Sequence, residues 1–168
     1  LDFVQQNEPF RGVGGTRNCD WWFSTSAIFL DTAGRYMTES DDQEEWTTFL
    51  ETLRKGRRSQ PVDGVVLSIS IADLLSASRE EIEMHAREMR KKLDELLDKL
   101  RVRFPVYLMF TKCDLLQGFV DYFGELTLKE QNQVWGCTFE RNEQSTNEPR
   151  RVFESGYDEL HEKIMAMR

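Results

Sequence analysis

At 168 residues the chain has the size of one domain with a single core, and its 39% hydrophobic and 11% aromatic content argues for a packed globular fold and against disorder. A net charge of -8 argues against non-specific nucleic-acid binding, which needs an excess of Lys and Arg. Three well-separated cysteines, Cys19, Cys113 and Cys137, form no CxxC pair, so neither a zinc site nor a disulfide framework is indicated, and free thiols fit a reducing, cytoplasmic setting.

Residues 1–17 are polar and Gly-rich and predict a loop. Cys19 to Phe23 is aromatic-rich and strand-like, Ser24-Thr25-Ser26 is a turn, and Ala27 to Leu30 is a short apolar run ending at Asp31, which predicts a buried strand. The two strands predict a hairpin. Ser40 and Gln43 fit a capping box for the next helix, with Asp41, Asp42, Glu44 and Glu45 in its first turns. Trp46, Phe49, Leu50 and Leu53 give that helix an apolar face, and Gly56 stops it. Arg54, Lys55, Arg57 and Arg58 serve either helix-end charge compensation or contact with an acidic partner.

Val65 to Ile71 reads as a strand. Ser78 and Glu81 form a second capping box, opening a long helix to about Leu100. Ile82, Ala86, Met89, Leu93, Leu96 and Leu100 recur at three and four residues, which predicts a core stripe rather than a coiled-coil seam. Phe104 to Phe110 is the next strand, with Pro105 at its start. Leu115 to Phe123 predicts a short helix, Thr127 and Glu130 box another, and Val134 to Phe139 predicts a last strand. Phe153, Tyr157, Leu160 and Ile164 mark a closing amphipathic helix. Strands alternating with helices predict a mainly parallel sheet covered on both faces, in a single domain over residues 1–168. No run approaches a membrane span. The opening Leu1-Asp2-Phe3, without Met, reads as an excerpt of a longer protein.

The sharpest chemical signal is Asp31-Thr32-Ala33-Gly34 at the end of an apolar strand. A carboxylate there points into the crevice where open α/β sheets bind ligands. Asp31 is the candidate metal residue, holding Mg²⁺ through water, and Gly34 lets a backbone N–H approach a terminal phosphate. The second signal is Thr111-Lys112-Cys113-Asp114, again directly after a strand expected to be buried. It resembles the NKxD base-recognition motif of GTPases, in which the Asp accepts hydrogen bonds from guanine and the Lys stem covers the base. Thr111 stands where that motif has Asn, which weakens strict guanine preference. Asp31, Gly34, Thr111, Lys112 and Asp114 are therefore the candidate nucleotide-facing residues, and no catalytic residue is assigned. No GxxxxGK[ST] phosphate loop occurs. Arg35 stands where many GTPases have a Gln, and serves phosphate charge or an ion pair. Thr16 is a switch or a plain loop threonine. His85 and His161 read as surface or packing residues.

Longer strings carry a family resemblance. Gly14-Gly15-Thr16-Arg17-Asn18-Cys19-Asp20-Trp21-Trp22-Phe23, Ile28-Phe29-Leu30-Asp31-Thr32-Ala33-Gly34-Arg35-Tyr36, Asp63-Gly64-Val65-Val66-Leu67-Ser68, Thr111-Lys112-Cys113-Asp114-Leu115 and Gln133-Val134-Trp135-Gly136 resemble the IcmF/TssM family of type VI secretion. The resemblance spans nearly the whole chain. It implies a bacterial inner-membrane parent in which this segment lies on the cytoplasmic side, making no membrane contact of its own. The implied partners, through the parent, are TssL, the lipoprotein TssJ and the baseplate, with no nucleic acid. The implied fold is α/β and three-layer, with a mainly parallel sheet resembling a P-loop GTPase domain whose phosphate-loop strand is missing from the chain. No cofactor is expected in this segment, and the resemblance leaves GTP or ATP with Mg open for the parent. Such a missing strand would lie centrally, between the strand ending at Asp31 and the strand at Val65. Those two strands then pair directly, accept another chain, or flank an element that precedes this sequence.

Overall fold

A computed structural model describes residues 4–5, 19–34, 36, 43–131, 133–140 and 147–166. The chain divides into two compact units, Leu1–Leu116 and Gln117–Arg168.

Among the described residues the first unit holds five strands: β1 (Val4–Gln5), β2 (Cys19–Phe23), β3 (Ile28–Thr32), β4 (Val65–Ser70) and β5 (Val106–Thr111). As expected, β2 and β3 form an antiparallel hairpin, with Cys19 opposite Thr32 and Phe23 opposite Ile28. Its turn is closed by Ser24. The Ser24 backbone N–H donates to the Ala27 carbonyl at 2.9 Å, and the Ser24 hydroxyl accepts from the Ala27 N–H at 3.0 Å. β1 adds to the other side of β2, also antiparallel. β4 and β5 form a separate parallel pair, Val65 opposite Val106 through Ser70 opposite Thr111; against the expectation of buried strands, Ile28 and Phe29 of β3 and Val106 through Phe110 of β5 are exposed. Among the described residues no ladder joins β3 to β4, so direct pairing of those two strands is not the arrangement here.

Parallel strands need a long crossover. Here it is helical, built from α2 (Ile71–Ser76) and α3 (Arg79–Leu100). The sequence did not announce α2. The Ser70 hydroxyl creates it by accepting from the Asp73 N–H at 3.3 Å, ending the strand one residue before Ile71. α3 opens with the predicted capping box: the Ser78 N–H donates to Glu81 at 2.7 Å, and the Ser78 hydroxyl accepts from the Glu81 N–H at 3.3 Å. α1 (Gln43–Gly56) carries Glu44 and Glu45 in its first turn and Arg54 and Lys55 in its last, matching the helix dipole. The proposed cap at Ser40 lies outside the described residues. Of the basic run at its end, Lys55 pairs with Glu51 at 3.7 Å and Arg57 with Asp63 at 3.0 Å, both solvent-exposed.

The core lies where α1 crosses α3. Trp46 and Leu50 from α1 meet Leu96 and Leu100 from α3, joined by Ala33 and Tyr36 from the segment after β3. Phe49, Leu53, Val62, Val65, Leu93, Val102 and Phe104 pack around them. The predicted stripe of α3 is buried only in its C-terminal half; Ile82 and Ala86 are exposed, because α1 reaches only that half.

The second unit contains α4 (Phe119–Phe123), α5 (Leu128–Gln131) and α6 (Pro149–Met165). The helix expected over Leu115 to Phe123 is instead a 3-10 turn, Cys113–Leu115, followed by α4. Gly118 separates the two, with a φ of 81° that an L side chain rarely adopts. The Thr127–Glu130 box is present, with the Thr127 N–H donating to Glu130 at 2.8 Å. The strand expected over Val134 to Phe139 is not formed: residues 134–140 have no ladder partner and Val134 is 95% exposed. β-propensity alone does not make a strand without a neighbouring edge. Aromatic contacts hold this unit, Phe119 on Phe123 at 4.5 Å and Phe139 on Phe153 at 5.5 Å, and the Tyr122 hydroxyl donates to the Ile164 carbonyl.

Candidate functional site

The candidate residues fall at the C-terminal ends of two strands that belong to different ladders. Asp31 is the penultimate residue of β3 and is exposed. The hairpin register sets Asp20 directly opposite it. Directly opposed residues of an antiparallel pair share one face of the sheet, so two carboxylates stand together there. Carboxylate oxygens are the kind of donor that Mg²⁺ takes alongside water and phosphate oxygens, and two carboxylates by themselves make only part of such a shell. Among the described residues there is no group of three or more His, Cys, Asp or Glu side chains arranged to hold a metal.

Neighbouring Cys19 shows the electrostatic effect of the pair. Its thiol is pushed up to about 11, first by burial and then by the charges of Asp20 and Asp31. Such a thiol stays protonated at neutral pH and is a poor nucleophile.

Gly34 follows in an exposed turn. A Cβ built there would meet nothing within 4 Å, and its backbone does not lie in the left-handed region. Neither conformation nor a neighbour in the structure requires glycine at this position, and the space in front of its backbone is open. Arg35 and Thr16 lie outside the described residues. Tyr36 turns back into the core, where its N–H donates to the Ala33 carbonyl at 3.1 Å.

At the end of β5, Thr111 is half-buried and its hydroxyl donates across the ladder to the Ile69 carbonyl at 3.4 Å. It is thus engaged in holding the strand pair. Lys112 then adopts the left-handed conformation, φ 57° and ψ 31°. Only Arg101, the C-cap of α3, does the same among the described non-glycine residues. A non-glycine residue there is disfavoured by about 1–2 kcal/mol. The reversal starts the 3-10 turn that carries Asp114, with the Leu115 N–H closing on the Lys112 carbonyl at 3.1 Å. Lys112 and Asp114 are both exposed. The Cys113 thiol between them is half-buried and contacts the Phe110 carbonyl at 3.7 Å. The structure therefore brings Thr111, Lys112 and Asp114 together in one turn, and Asp31 and Gly34 together in another.

Three features escaped sequence reasoning. Asp20 was readable by counting outward from the Ser24–Ala27 turn, which fixes the register. The left-handed Lys112 and the buried Lys92 had no local signal. His85 and His161 are exposed, and His85 lies 3.6 Å from Glu88.

Comparison with known proteins places the chain beside a family and a curated relative. A family model described as the IcmF-related N-terminal domain matches residues 39–168. A curated protein, the type VI secretion system component TssM1 of Pseudomonas aeruginosa, is 45% identical over 161 residues, which is 93% of this chain and 15% of that protein. The chain thus spans about 15% of the length of that relative. No solved structure matches.

Proposed function

This chain belongs to the IcmF/TssM family, and from that premise we propose that it is an NTPase-like cytoplasmic domain of a type VI secretion component, serving assembly of the apparatus. The observation that carries the NTPase-like part is the turn after β5. A parallel βαβ unit ends in a strained, left-handed Lys112 that starts a 3-10 turn, leaving Lys112 and the acceptor-only carboxylate of Asp114 exposed at the C-terminal edge of the strands. Strain kept in a short exposed turn is a recurring feature of ligand-binding positions. Asp31, facing Asp20 at the end of β3, supplies oxygen donors suited to magnesium beside a phosphate.

In this reading a further strand of the longer polypeptide stands between β3 and β4. It completes a P-loop GTPase-type sheet and supplies the phosphate contacts. Residues 1–168 contain no GxxxxGK[ST] sequence. A nest of backbone N–H groups and a Lys normally hold the β- and γ-phosphates. The 168 residues by themselves therefore bind GTP·Mg or ATP·Mg negligibly. The proposal includes docking to TssL, TssJ and baseplate proteins through the parent. Among the described residues no helix is long and apolar enough to cross a membrane.

Two measurements test this. Calorimetric titration of residues 1–168 with GTP·Mg and ATP·Mg is expected to give no measurable heat of binding; tight binding overturns the assembly-module reading in favour of a self-sufficient nucleotide switch. In the full-length protein, Asp31→Asn and Asp114→Ala are compared for nucleotide binding and for secretion. Unchanged nucleotide affinity in both variants sinks the assignment of these turns as nucleotide-facing. Lost affinity with intact secretion leaves a scaffold, and lost affinity with lost secretion a switch.

A further inference from the structure

Lys92 is 9% exposed and sits among Leu93, Leu96 and Leu100 on the inward side of α3, where an apolar residue would pack. Burying an ammonium is unfavourable unless it is paired. Its partners come from a specific place. Nζ donates to Oε1 of Gln43 at 2.9 Å and to Oε2 of Glu95 at 3.1 Å, and Nε2 of Gln43 donates to the same Glu95 oxygen at 3.3 Å. The triangle joins the middle of α3 to the first residue of α1. Nζ also lies 5.9 Å from the centre of the Trp46 ring, one turn further along α1.

The contact continues beyond α1. Trp46 packs on Tyr36 with ring centres 5.6 Å apart, and the Tyr36 hydroxyl donates to Glu45 at 2.7 Å. Tyr36 is tied back to Ala33 through its N–H. Lys92, Trp46, Tyr36 and Ala33 are all buried. They form one line from α3 to the turn that follows Asp31.

We propose that Lys92 is a latch: a positioning residue that docks the first turn of α1 on α3 and, through Trp46 and Tyr36, holds the turn after Asp31, so that α3 and that turn are conformationally coupled. Apolar contacts between two helices tolerate sliding, whereas a closed hydrogen-bond triangle is satisfied at one register only. The docked position also has a built-in weakness. Among the described residues the buried Trp46 Nε1 finds no hydrogen-bond partner, and release of α1 would return it to water. Opposed terms of this kind suit an element that docks and undocks below the threshold of global unfolding.

The inference rests on side-chain geometry and is independent of the nucleotide reading. It is tested by peptide-resolved hydrogen exchange on the full-length protein carrying Lys92→Met, Gln43→Met, both together, or Ser78→Ala as a control that weakens α3 from its far end. The latch predicts that each Met variant speeds exchange over residues 31–36 and 43–50 by about tenfold or more, leaves β5 unchanged, and that the double variant adds little to either single one. Ser78→Ala leaves residues 31–36 unchanged. A Lys92→Met pattern that matches the Ser78→Ala pattern, or a double variant whose effects simply multiply, overturns the latch. Gln43 lies at an exposed helix start, so Gln43→Met decides the matter even if Lys92→Met fails to fold.

Discussion

Asp20 and Asp31 stand directly opposite one another on the β2–β3 ladder, two like charges on one face of an antiparallel pair. Like charges in that position destabilise a sheet. Asp20→Asn removes the repulsion and keeps the shape. The expected outcome is a gain of about 0.2–1 kcal/mol in chemical denaturation, larger at low salt because screening already softens the pair at high salt. Unchanged stability at both salt concentrations would mean that a basic side chain or a bound cation already neutralises the two carboxylates.

The Cys19 thiol titrates near 11, against an ordinary 9.0. At pH 8 its thiolate amounts to about one part in a thousand, so the exposed Cys137 is alkylated well before it. Because the folded-state value is raised, the contribution of Cys19 to stability is fully present below pH 9.0 and is lost as pH rises towards about 11. Thiol labelling followed by peptide mapping checks the order. Asp20→Asn speeds Cys19 labelling only in part, since burial is the larger cause of the shift.

Lys112 holds a left-handed conformation that glycine adopts at little penalty. Lys112→Gly is therefore expected to leave folding stability unchanged or raise it by up to about 1 kcal/mol, after the extra entropy of glycine in the unfolded chain is counted. Lys112→Val, β-branched at the same position, is expected to lower it. Urea denaturation of the pair checks the sign, and a destabilised Lys112→Gly would show that the lysine side chain itself holds the turn.

Ser78 and Glu81 cap α3 reciprocally. Ser78→Ala removes one half of the box, with an expected loss on the order of 1 kcal/mol. The Glu81 carboxyl is held below its ordinary 4.5, first by the Ser78 N–H and then by the Ser78 hydroxyl. A lowered folded-state value means that the stabilisation is present above about pH 4.5 and is lost as the pH falls through the folded-state value. Acid titration followed by circular dichroism should show this loss in the parent and a smaller one in Ser78→Ala.

Gly156 lies inside α6, where alanine would normally gain about 1 kcal/mol in helix propensity. A Cβ there would lie 2.6 Å from the Phe139 ring and 3.6 Å from the Cys137 sulfur. Gly156→Ala is expected to lose that gain or reverse it, because the ring must shift and its contact with Phe153 goes with it. Adding Phe139→Leu makes room. Thermal melts in which Gly156→Ala alone is stabilising would show that the ring relaxes freely.

Local rules carried the sequence reading where the chain interacts with itself over a few residues. The Ser78–Glu81 and Thr127–Glu130 boxes, the β2–β3 hairpin, the extent of α3 and the two chemical motifs at strand ends all follow from propensity, capping and alternation, which act within one or two turns. The family is legible for the same reason, since its strings are contiguous. Three things required the fold. Whether Val134 to Phe139 becomes a strand depends on pairing with an edge, and among the described residues no ladder includes it. Which half of the α3 stripe is buried depends on where α1 crosses it. That Lys92 serves the core and not the surface depends on Gln43, from another helix, arriving with an amide oxygen to receive it. A residue's partners across dozens of positions are set by how helices and strands pack, and no pattern in its neighbours along the chain can name them.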